Sequence, residues 1–399
     1  MSKPVVIVGA SMGGLRAAES LRRFGYQGAI TAIGDETYAP YNRPPLSKEV
    51  LANEVTHSAV AFPLRAATED VNWVLGTRAV SADLEHATVT DSDGVVHTYS
   101  ALIIATGLRP RRLQVKNGSL SGRHAIRSLD DAMALRAELK PGARVVIVGA
   151  GFIGCETAAT ARKLGCEVTI VSPGAHPIAR PLGSQLAQEI QRRHEAMGVK
   201  FRMKTNVKDF IGDKHIMGVI LNDDTELACD VLIEAIGSHE NTEWLEGNDL
   251  NLEAGVLTDS NLRASKSNGG VWENVFAIGD VARFPLLTFD EEPRRIEHWN
   301  IPTDTAKRVG QLLAARLSGA QNYHEMLNER FAPIPSFWSD QYDNHILAYG
   351  LLGLADEVKL LQGDISGDCV FGYYRNSKMV GVCGIGLRSV VQSFRSQFA

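Results

Sequence analysis

The sequence predicts an α/β fold with a duplicated unit built on parallel strands, followed by a smaller C-terminal α+β unit. Two stretches predict the duplication, because each joins a short apolar strand to a glycine-rich turn and a helix: residues 4–14 (PVVIVGASMGG) and 144–156 (RVVIVGAGFIGCE). Each unit also closes with a buried strand that runs into glycine, YSALIIATG at 99–107 and DVLIEAIG at 230–237. The same features in the same order indicate an internal repeat.

Length and composition indicate how many domains the chain can form and which classes of partner are not expected. A chain of 399 residues is long enough for two or three domains. The net charge of −5 gives no sign of a nucleic-acid partner. No apolar run approaches the roughly 20 residues needed to span a bilayer, and the N-terminal apolar run ends in a glycine loop without a cleavage site. We therefore expect a cytoplasmic protein with neither a nucleic-acid nor a membrane partner.

The N-terminal glycine pattern predicts a dinucleotide site. Gly9 and Gly14 occupy the outer positions of a G-x-G-x-x-G pattern, and Ser11 stands where the second glycine is usual. The first glycine allows a tight turn, the second position faces the pyrophosphate, and the third lets the helix pack against the strand. A helix is predicted over Leu15–Phe24.

An acidic pair follows the next predicted strand, Ala29–Ile33. Asp35 and Glu36 lie about 20 residues beyond the glycine pattern, where an acid is expected to accept hydrogen bonds from ribose hydroxyls. The segment 41–48 (YNRPPLSK) comes next. Its two prolines predict an extended segment that presents Arg43 and Lys48.

The mid-chain glycine pattern is complete, with Gly149, Gly151 and Gly154 between a predicted strand and a predicted helix. This context is stronger evidence for a dinucleotide site than the glycines alone. The strand that follows, Glu167–Val171, ends at Ser172 and not at an acid. An acid at that position would accept hydrogen bonds from a ribose 2′-hydroxyl, so Ser172 leaves open whether the bound ribose carries a hydroxyl or a phosphate there.

The five cysteines are scattered, and no pair has C-x-x-C spacing. We therefore expect buried thiols and neither a redox disulfide nor a zinc site. The eleven histidines show no metal-ligand spacing such as H-E-x-x-H, so no metal site is predicted.

Several motifs together make the chain resemble a known family: the FAD-dependent NAD(P)H:ferredoxin reductases of the putidaredoxin reductase and rubredoxin reductase type, with apoptosis-inducing factor as a more distant relative. Besides the two glycine patterns, the resemblance rests on YNRPPLSK at 41–48, ATG at 105–107, FAIGD at 276–280, IEHW at 296–299 and FWSDQY at 337–342. It covers essentially the whole chain. It implies the fold of the glutathione reductase-like flavoproteins, with Rossmann-like FAD and NAD(P) domains and a C-terminal α+β domain. The implied division places the FAD-binding domain in two separate segments at 1–112 and 240–325, the NAD(P)H-binding domain at 113–239 and the C-terminal domain at 326–399.

The resemblance also implies roles for individual residues. Lys48 is expected near the reactive nitrogen of the flavin, and Glu156 is expected to approach the nicotinamide and pair with Lys48. From its position alone, Glu156 is more simply a solvent-facing acid in the first turn of a helix, and the resemblance is what favours the functional role. The other implied FAD ligands, for a non-covalently bound cofactor, are Gly9, Ser11, Gly14, Asp35 or Glu36, Arg43, Val80, Thr106, Gly107, Arg127, Asp280 and Trp299. The implied NAD(P)H ligands are Gly149, Gly151, Gly154, Glu156, Ser172 and Gly237.

The implied activity is that of a ferredoxin–NAD(P)+ reductase, which receives hydride from NADH (NADPH is possible) on FAD and passes electrons singly to a [2Fe-2S]-type ferredoxin that feeds an oxygenase. Ferredoxins are usually acidic, so Arg294, Arg295, Lys307 and Arg308 are candidates for a basic docking face, although solvated surface cations explain them equally well. Three alternatives remain: a disulfide reductase, a nicotinamide oxidase or peroxidase, and a redox-sensing flavoprotein without a ferredoxin partner. The chain is expected to be a monomer or a homodimer.

Overall fold

The computed structural model describes residues 3–63 and 65–398. Its N-terminal segment contains a parallel sheet core with short helices and a small antiparallel sheet. The elements are β1 Val5–Val8, α1 Met12–Arg23, β2 Ile30–Gly34, α2 Glu49–Ala52, α3 His57–Val60, β3 Asn72–Leu75, β4 Ala79–Asp83, β5 Thr88–Asp91, β6 Val96–Thr98, β7 Ala101–Ile104 and β8 Leu108–Pro110. β1 is buried at every position and pairs in parallel with β2 and β7, as its continuous apolar run predicts.

The second segment repeats this design. Its elements are β9 Arg123–His124, α4 Leu129–Glu138, β10 Arg144–Val148, α5 Phe152–Lys163, β11 Glu167–Ser172, α6 Ala179–Ala196, β12 Lys200–Met203, β13 Val207–Gly212, β14 Ile216–Leu221, β15 Glu226–Ala228, β16 Val231–Glu234 and β17 Ser238–Glu240. The parallel strand β10 lies between β11 and β16. Gly183 interrupts α6 with non-helical dihedral angles.

The third segment returns to the first sheet. Its elements are β18 Val256–Leu257, β19 Arg263–Ser265, β20 Val271–Ala277, β21 Ala282–Pro285, β22 Pro293–Arg295, α7 Ile301–Leu317 and α8 Tyr323–Asn328. β20 pairs in parallel with β7, so the first sheet has the order β19-β20-β7-β1-β2-β3. One sheet is thus assembled from two stretches of chain, which supports the proposed division of the FAD unit into two segments.

The final segment is an antiparallel sheet with a terminal helix. Its elements are β23 Ser336–Gln341, β24 Asn344–Gly350, β25 Glu357–Gly363, β26 Cys369–Arg375, β27 Lys378–Ile385 and α9 Arg388–Ser393. The sheet order is β23-β24-β27-β26-β25. Its buried face shares a hydrophobic core with α5 and α6, so the C-terminal unit packs against the second nucleotide unit. The predicted fold class is confirmed by this arrangement.

One local prediction is wrong. The prolines of the YNRPPLSK segment do not hold it extended, because Pro44–Ser47 forms a 3₁₀ turn. Proline lacks a backbone N–H and has a fixed φ, and both properties suit the first turn of a helix as well as an extended chain. The turn is followed directly by α2, and it brings Ser47 and Lys48 towards the second nucleotide unit.

Candidate active site

A cleft of about 700 Å³ lies at the carboxyl ends of β1 and β2, where open parallel sheets bind their ligands. The predicted FAD ligands that line it are Gly9, Ser11, Asp35, Glu36, Arg43, Val80, Thr106 and Arg127. Gly9 has φ +120°, and a Cβ there would collide with the carbonyl oxygen of Ala105. At Gly14 a Cβ would collide with the carbonyl oxygen of Gly9, so the close packing of α1 on β1 requires glycine. The size and chemistry of the cleft fit the ADP half of FAD.

The two acids after β2 have different surroundings. Glu36 accepts hydrogen bonds from the hydroxyl of Tyr41 and the guanidinium of Arg43, so both of its carboxylate oxygens are engaged. Asp35 is exposed at the cleft and makes no side-chain hydrogen bond or ion pair with the rest of the described chain. Of the two predicted candidates, Asp35 is therefore the one free to accept from a ribose. Arg43 also donates to the carbonyl of Arg127, which holds its charge at the cleft.

Two charged residues predicted to bind FAD lie near each other although they are far apart in sequence. Arg127 Nη2 lies 3.6 Å from Asp280 Oδ2, so the start of α4 meets the turn after β20. Gly107 has φ +60°, and a Cβ there would lie 3.2 Å from the Arg127 guanidinium. Thr106 donates from Oγ1 to the carbonyl of Asn241, and its hydroxyl is therefore engaged in joining two chain segments.

Trp299 lies beside the segment that carries Lys48. Its indole is 39% exposed and donates to Asn42 Oδ1 at 3.3 Å. The ring meets Trp338 edge to face, with centroids 5.4 Å apart. Trp299 is exposed and Trp338 is half-buried, and this pair of rings next to the first nucleotide unit is suitably placed to cover one side of a bound flavin.

The second glycine pattern builds a similar turn at the end of β10. Gly149 has φ +107° and lies against the carbonyl of Ala235, in the same way as Gly9 lies against Ala105. Around Gly151 a Cβ would meet nothing within 4 Å, so the backbone there is open to a pyrophosphate. Ser172 is 8% exposed at the end of β11, and its Oγ accepts from the N–H of Gly174 at 3.4 Å. Gly237 follows β16 with φ +99°.

The Lys48–Glu156 pair connects the two nucleotide units. Lys48 Nζ donates to Glu156 Oε2 at 2.7 Å. Glu156 is only 6% exposed, so the alternative of a solvent-facing helix acid is wrong. Both side chains are largely buried, so the removal of either charge would leave the other without a counter-ion and largely shielded from water.

Sequence reasoning missed two further contacts of Glu156. Ser47 Oγ donates to Oε2 and Ser339 Oγ donates to Oε1, both at 2.6 Å. The YNRPPLSK and FWSDQY motifs contain these serines, but the motifs indicate a family and assign no role to either hydroxyl. Other cleft residues were also missed: Thr77, Arg78, Arg109, Ser128, Asp131, Asn241, Glu243 and Trp244.

The four candidate docking cations do not form a free basic face. Arg308 is buried and is held by Asn261, the Met326 carbonyl and Glu329. Arg294 pairs with Asp290, and Arg295 pairs with Glu240 and Glu297, so both are engaged within the fold. Lys307 is exposed. The structure thus argues against a docking face built on these four residues.

The thiols behave as expected. All five cysteines are free and buried, and burial raises the pKa of the Cys155 thiol next to Glu156.

Within residues 3–63 and 65–398, no group of three or more potential ligands is arranged to hold a metal ion. No helix in that same stretch of the chain has both the length and the apolarity required to cross a bilayer.

Residues 3–306 match the model of the pyridine nucleotide-disulphide oxidoreductase family, and the chain belongs to this family. Rhodocoxin reductase of Rhodococcus erythropolis is 32% identical over 382 residues, covering 95% of this chain and 85% of the relative. The ferredoxin–NAD(+) reductase component of the anthranilate 1,2-dioxygenase system of Burkholderia cepacia is 33% identical over 391 residues, covering 96% and 91%.

A solved structure agrees with these relatives. The covalent complex of putidaredoxin reductase with putidaredoxin contains a chain that matches this one with a TM-score of 0.89 at 28% identity, covering 99% of this chain and 93% of that one. The resemblance inferred from the motifs is confirmed. The family name refers to disulphides, but the five cysteines of this chain are free and buried, and none is joined in a disulfide.

Proposed function

We propose that this protein is a ferredoxin–NAD+ reductase, which takes electrons from NADH and delivers them singly to a [2Fe-2S]-type ferredoxin of an oxygenase system. The observation that carries the proposal is the Lys48–Glu156 pair, because it lies where the two nucleotide units meet. The names of the relatives support the same assignment, since one is the reductase component of a dioxygenase system. A cytoplasmic location accompanies the proposal, because five free thiols suit a reducing compartment.

Each unit supplies some of the binding machinery. FAD, when bound, supplies the two-electron to one-electron chemistry that amino-acid side chains lack. The first glycine turn and Arg43 would hold its pyrophosphate, and Asp35 would accept from the adenosine ribose. Arg127 and Asp280 would hold the portion of the cofactor that extends beyond the ADP cleft. The second glycine turn would hold the pyrophosphate of NADH.

Lys48 and Glu156 have complementary tasks in this proposal. The ammonium of Lys48 would place a positive charge beside the cofactor that receives the electrons. Because this charge is already in position, it would stabilise the added negative charge without reorganisation of solvent. Glu156 keeps that ammonium in one position and offsets its charge before electrons arrive. The proposed chemistry requires no side chain to act as a nucleophile or to take a proton from water.

The test is steady-state oxidation of NADH with a panel of [2Fe-2S] ferredoxins, with a small dye as a control acceptor. We expect at least one ferredoxin to raise the rate of NADH oxidation tenfold or more above the rate with oxygen alone. If every ferredoxin leaves the rate unchanged while oxygen is consumed rapidly, the chain is an oxidase. If turnover with all acceptors is slow and a complex with NADH persists, the redox-sensing alternative is correct.

A further inference from the structure

A line of buried hydrogen bonds reaches Glu156 from the C-terminal unit and from α6. Ser339 Oγ is 2.6 Å from Glu156 Oε1, Gln341 Nε2 is 3.0 Å from Ser339 Oγ, and His194 Nε2 is 2.7 Å from Gln341 Oε1. Ser339, Gln341 and His194 are each 0% exposed. Four side chains from three elements of the fold therefore form one continuous, buried polar path.

The charge of Glu156 sets the direction of every bond in this path. An ionised carboxylate can only accept, so the Ser339 hydroxyl must donate its hydrogen to Glu156. The same hydroxyl oxygen then accepts from the amide N–H of Gln341, and the Gln341 carbonyl accepts from His194. His194 must carry its hydrogen on Nε2, and its buried Nδ1 is left without a partner among the described residues.

A neutral His194 is the form that this arrangement requires. Protonation would add an N–H at Nδ1 with no acceptor in the described surroundings. Burial lowers the pKa of His194, against a smaller raising effect of the bond to Gln341. Ser339, Gln341 and His194 are thus all neutral, and each donates its hydrogen bond in the direction of Glu156, so their dipoles are aligned.

We propose that Ser339 and Gln341 are positioning residues that hold the Glu156 carboxylate in one orientation, and that through Glu156 they hold Lys48. The role of the Lys48–Glu156 pair in this proposal rests on the proposed function. The hydrogen bonds from Ser339, Gln341 and His194 are observed independently of it. Ser339 supplies the only hydrogen bond to Glu156 Oε1 among the described residues, so its hydroxyl fixes the orientation of that side of the carboxylate. The C-terminal unit, which has no nucleotide motif, thereby sets the electrostatics of the site between the other two units.

The test compares Ser339→Ala with Ser339→Thr, Gln341→Met and a control on the same strand, Ser336→Ala. Ser336 Oγ contacts Asn300 and lies outside the path. The measured quantities are the midpoint potential of the FAD-loaded protein and the separate kcat and KM for NADH with a dye acceptor. Thermal unfolding of each variant shows that it is folded.

We expect Ser339→Ala to favour the reduced cofactor roughly tenfold, because a less firmly held Glu156 offsets the Lys48 charge less well. For a two-electron couple this corresponds to a positive shift of about 30 mV. We expect kcat to fall about tenfold while KM changes less than twofold. Ser339→Thr keeps a hydroxyl and should restore most of both quantities. Gln341→Met should have a smaller effect, because Ser339 can still donate.

The proposal is overturned if folded Ser339→Ala shifts the potential no more than Ser336→Ala does, or if Gln341→Met has the larger effect. Failure of the proposed function is a separate result. In that case the unaltered protein reduces no ferredoxin, whereas Ser339→Ala still shifts the potential and Ser339→Thr still restores it.

Discussion

Lys48 Nζ lies 2.7 Å from Glu156 Oε2, although 108 residues separate the two in sequence. The lysine ends a 3₁₀ turn of the first nucleotide unit, and the glutamate belongs to the first turns of α5 in the second. Their exposed side-chain fractions are 15% and 7%. The pair thus joins the two units at the site of the proposed chemistry.

Removing one member of this pair should cost stability. Lys48→Met leaves a buried carboxylate without its counter-ion, so we expect the free energy of unfolding to fall by about 3 kcal/mol. The double variant Lys48→Met/Glu156→Gln should recover more than half of that loss, because no uncompensated charge remains. Urea unfolding measures both effects. Lys307→Met, at an exposed lysine, is the control, and an equal loss there would contradict the assignment.

The buried thiols should not react with thiol reagents while the protein is folded. We expect a thiol reagent to modify fewer than one cysteine per folded chain, and all five after denaturation, because burial keeps each thiol protonated and out of reach. Reduction of the dye by NADH should be unchanged after this treatment. Rapid modification of two thiols with loss of activity would instead favour the disulfide reductase alternative.

Ser172 should govern the choice between NADH and NADPH. Ser172→Glu places an acid at the carboxyl end of β11, where it repels a 2′-phosphate and accepts from a 2′-hydroxyl. We expect kcat/KM for NADPH to fall tenfold or more, and that for NADH to change less than threefold. Ser172→Ala is the matched control for loss of the hydroxyl. If the ratio of kcat/KM for NADH to kcat/KM for NADPH is unchanged in folded Ser172→Glu, the adenosine ribose of the nicotinamide cofactor does not lie at this position.

Asp290 should contribute to stability against acid. The guanidinium of Arg294, with that of Arg375, lowers the pKa of Asp290 to about 2. Because this value lies below the ordinary value of 3.8, the stabilisation is complete above about pH 4 and is lost as the pH falls towards 2. Asp290→Asn should lower the free energy of unfolding by about 1–2 kcal/mol at pH 7 and by little at pH 2. Glu291→Gln, next in the chain and exposed, should show no such dependence on pH.

Much of the fold could be predicted because it depends on local patterns. The apolar runs at β1 and β10 and the glycines that follow them are sufficient to predict strand, turn and helix. The sequence could also place Lys48 and Glu156 together through the family resemblance.

The remaining features depend on contacts between distant residues. Nothing near Ser339 in sequence indicates that its hydroxyl meets Glu156, because the two are 183 residues apart. Arg308 looks like a surface cation on a helix, but its partners Asn261 and Glu329 come from other stretches of the chain. A buried polar residue is identified by what surrounds it, and single-sequence patterns carry no such information.

The pairing of β20 with β7 has a consequence for how the protein is made. β7 ends at Ile104 and its neighbour β20 ends at Ala277, so the first sheet lacks a strand until that later stretch has been translated. At about 5–20 residues per second the ribosome needs roughly 10–35 s to cover this distance. The second nucleotide unit lies wholly within the interval and can close its own sheet first. During synthesis, the sheet of the N-terminal unit is therefore completed only after the second nucleotide unit has been translated.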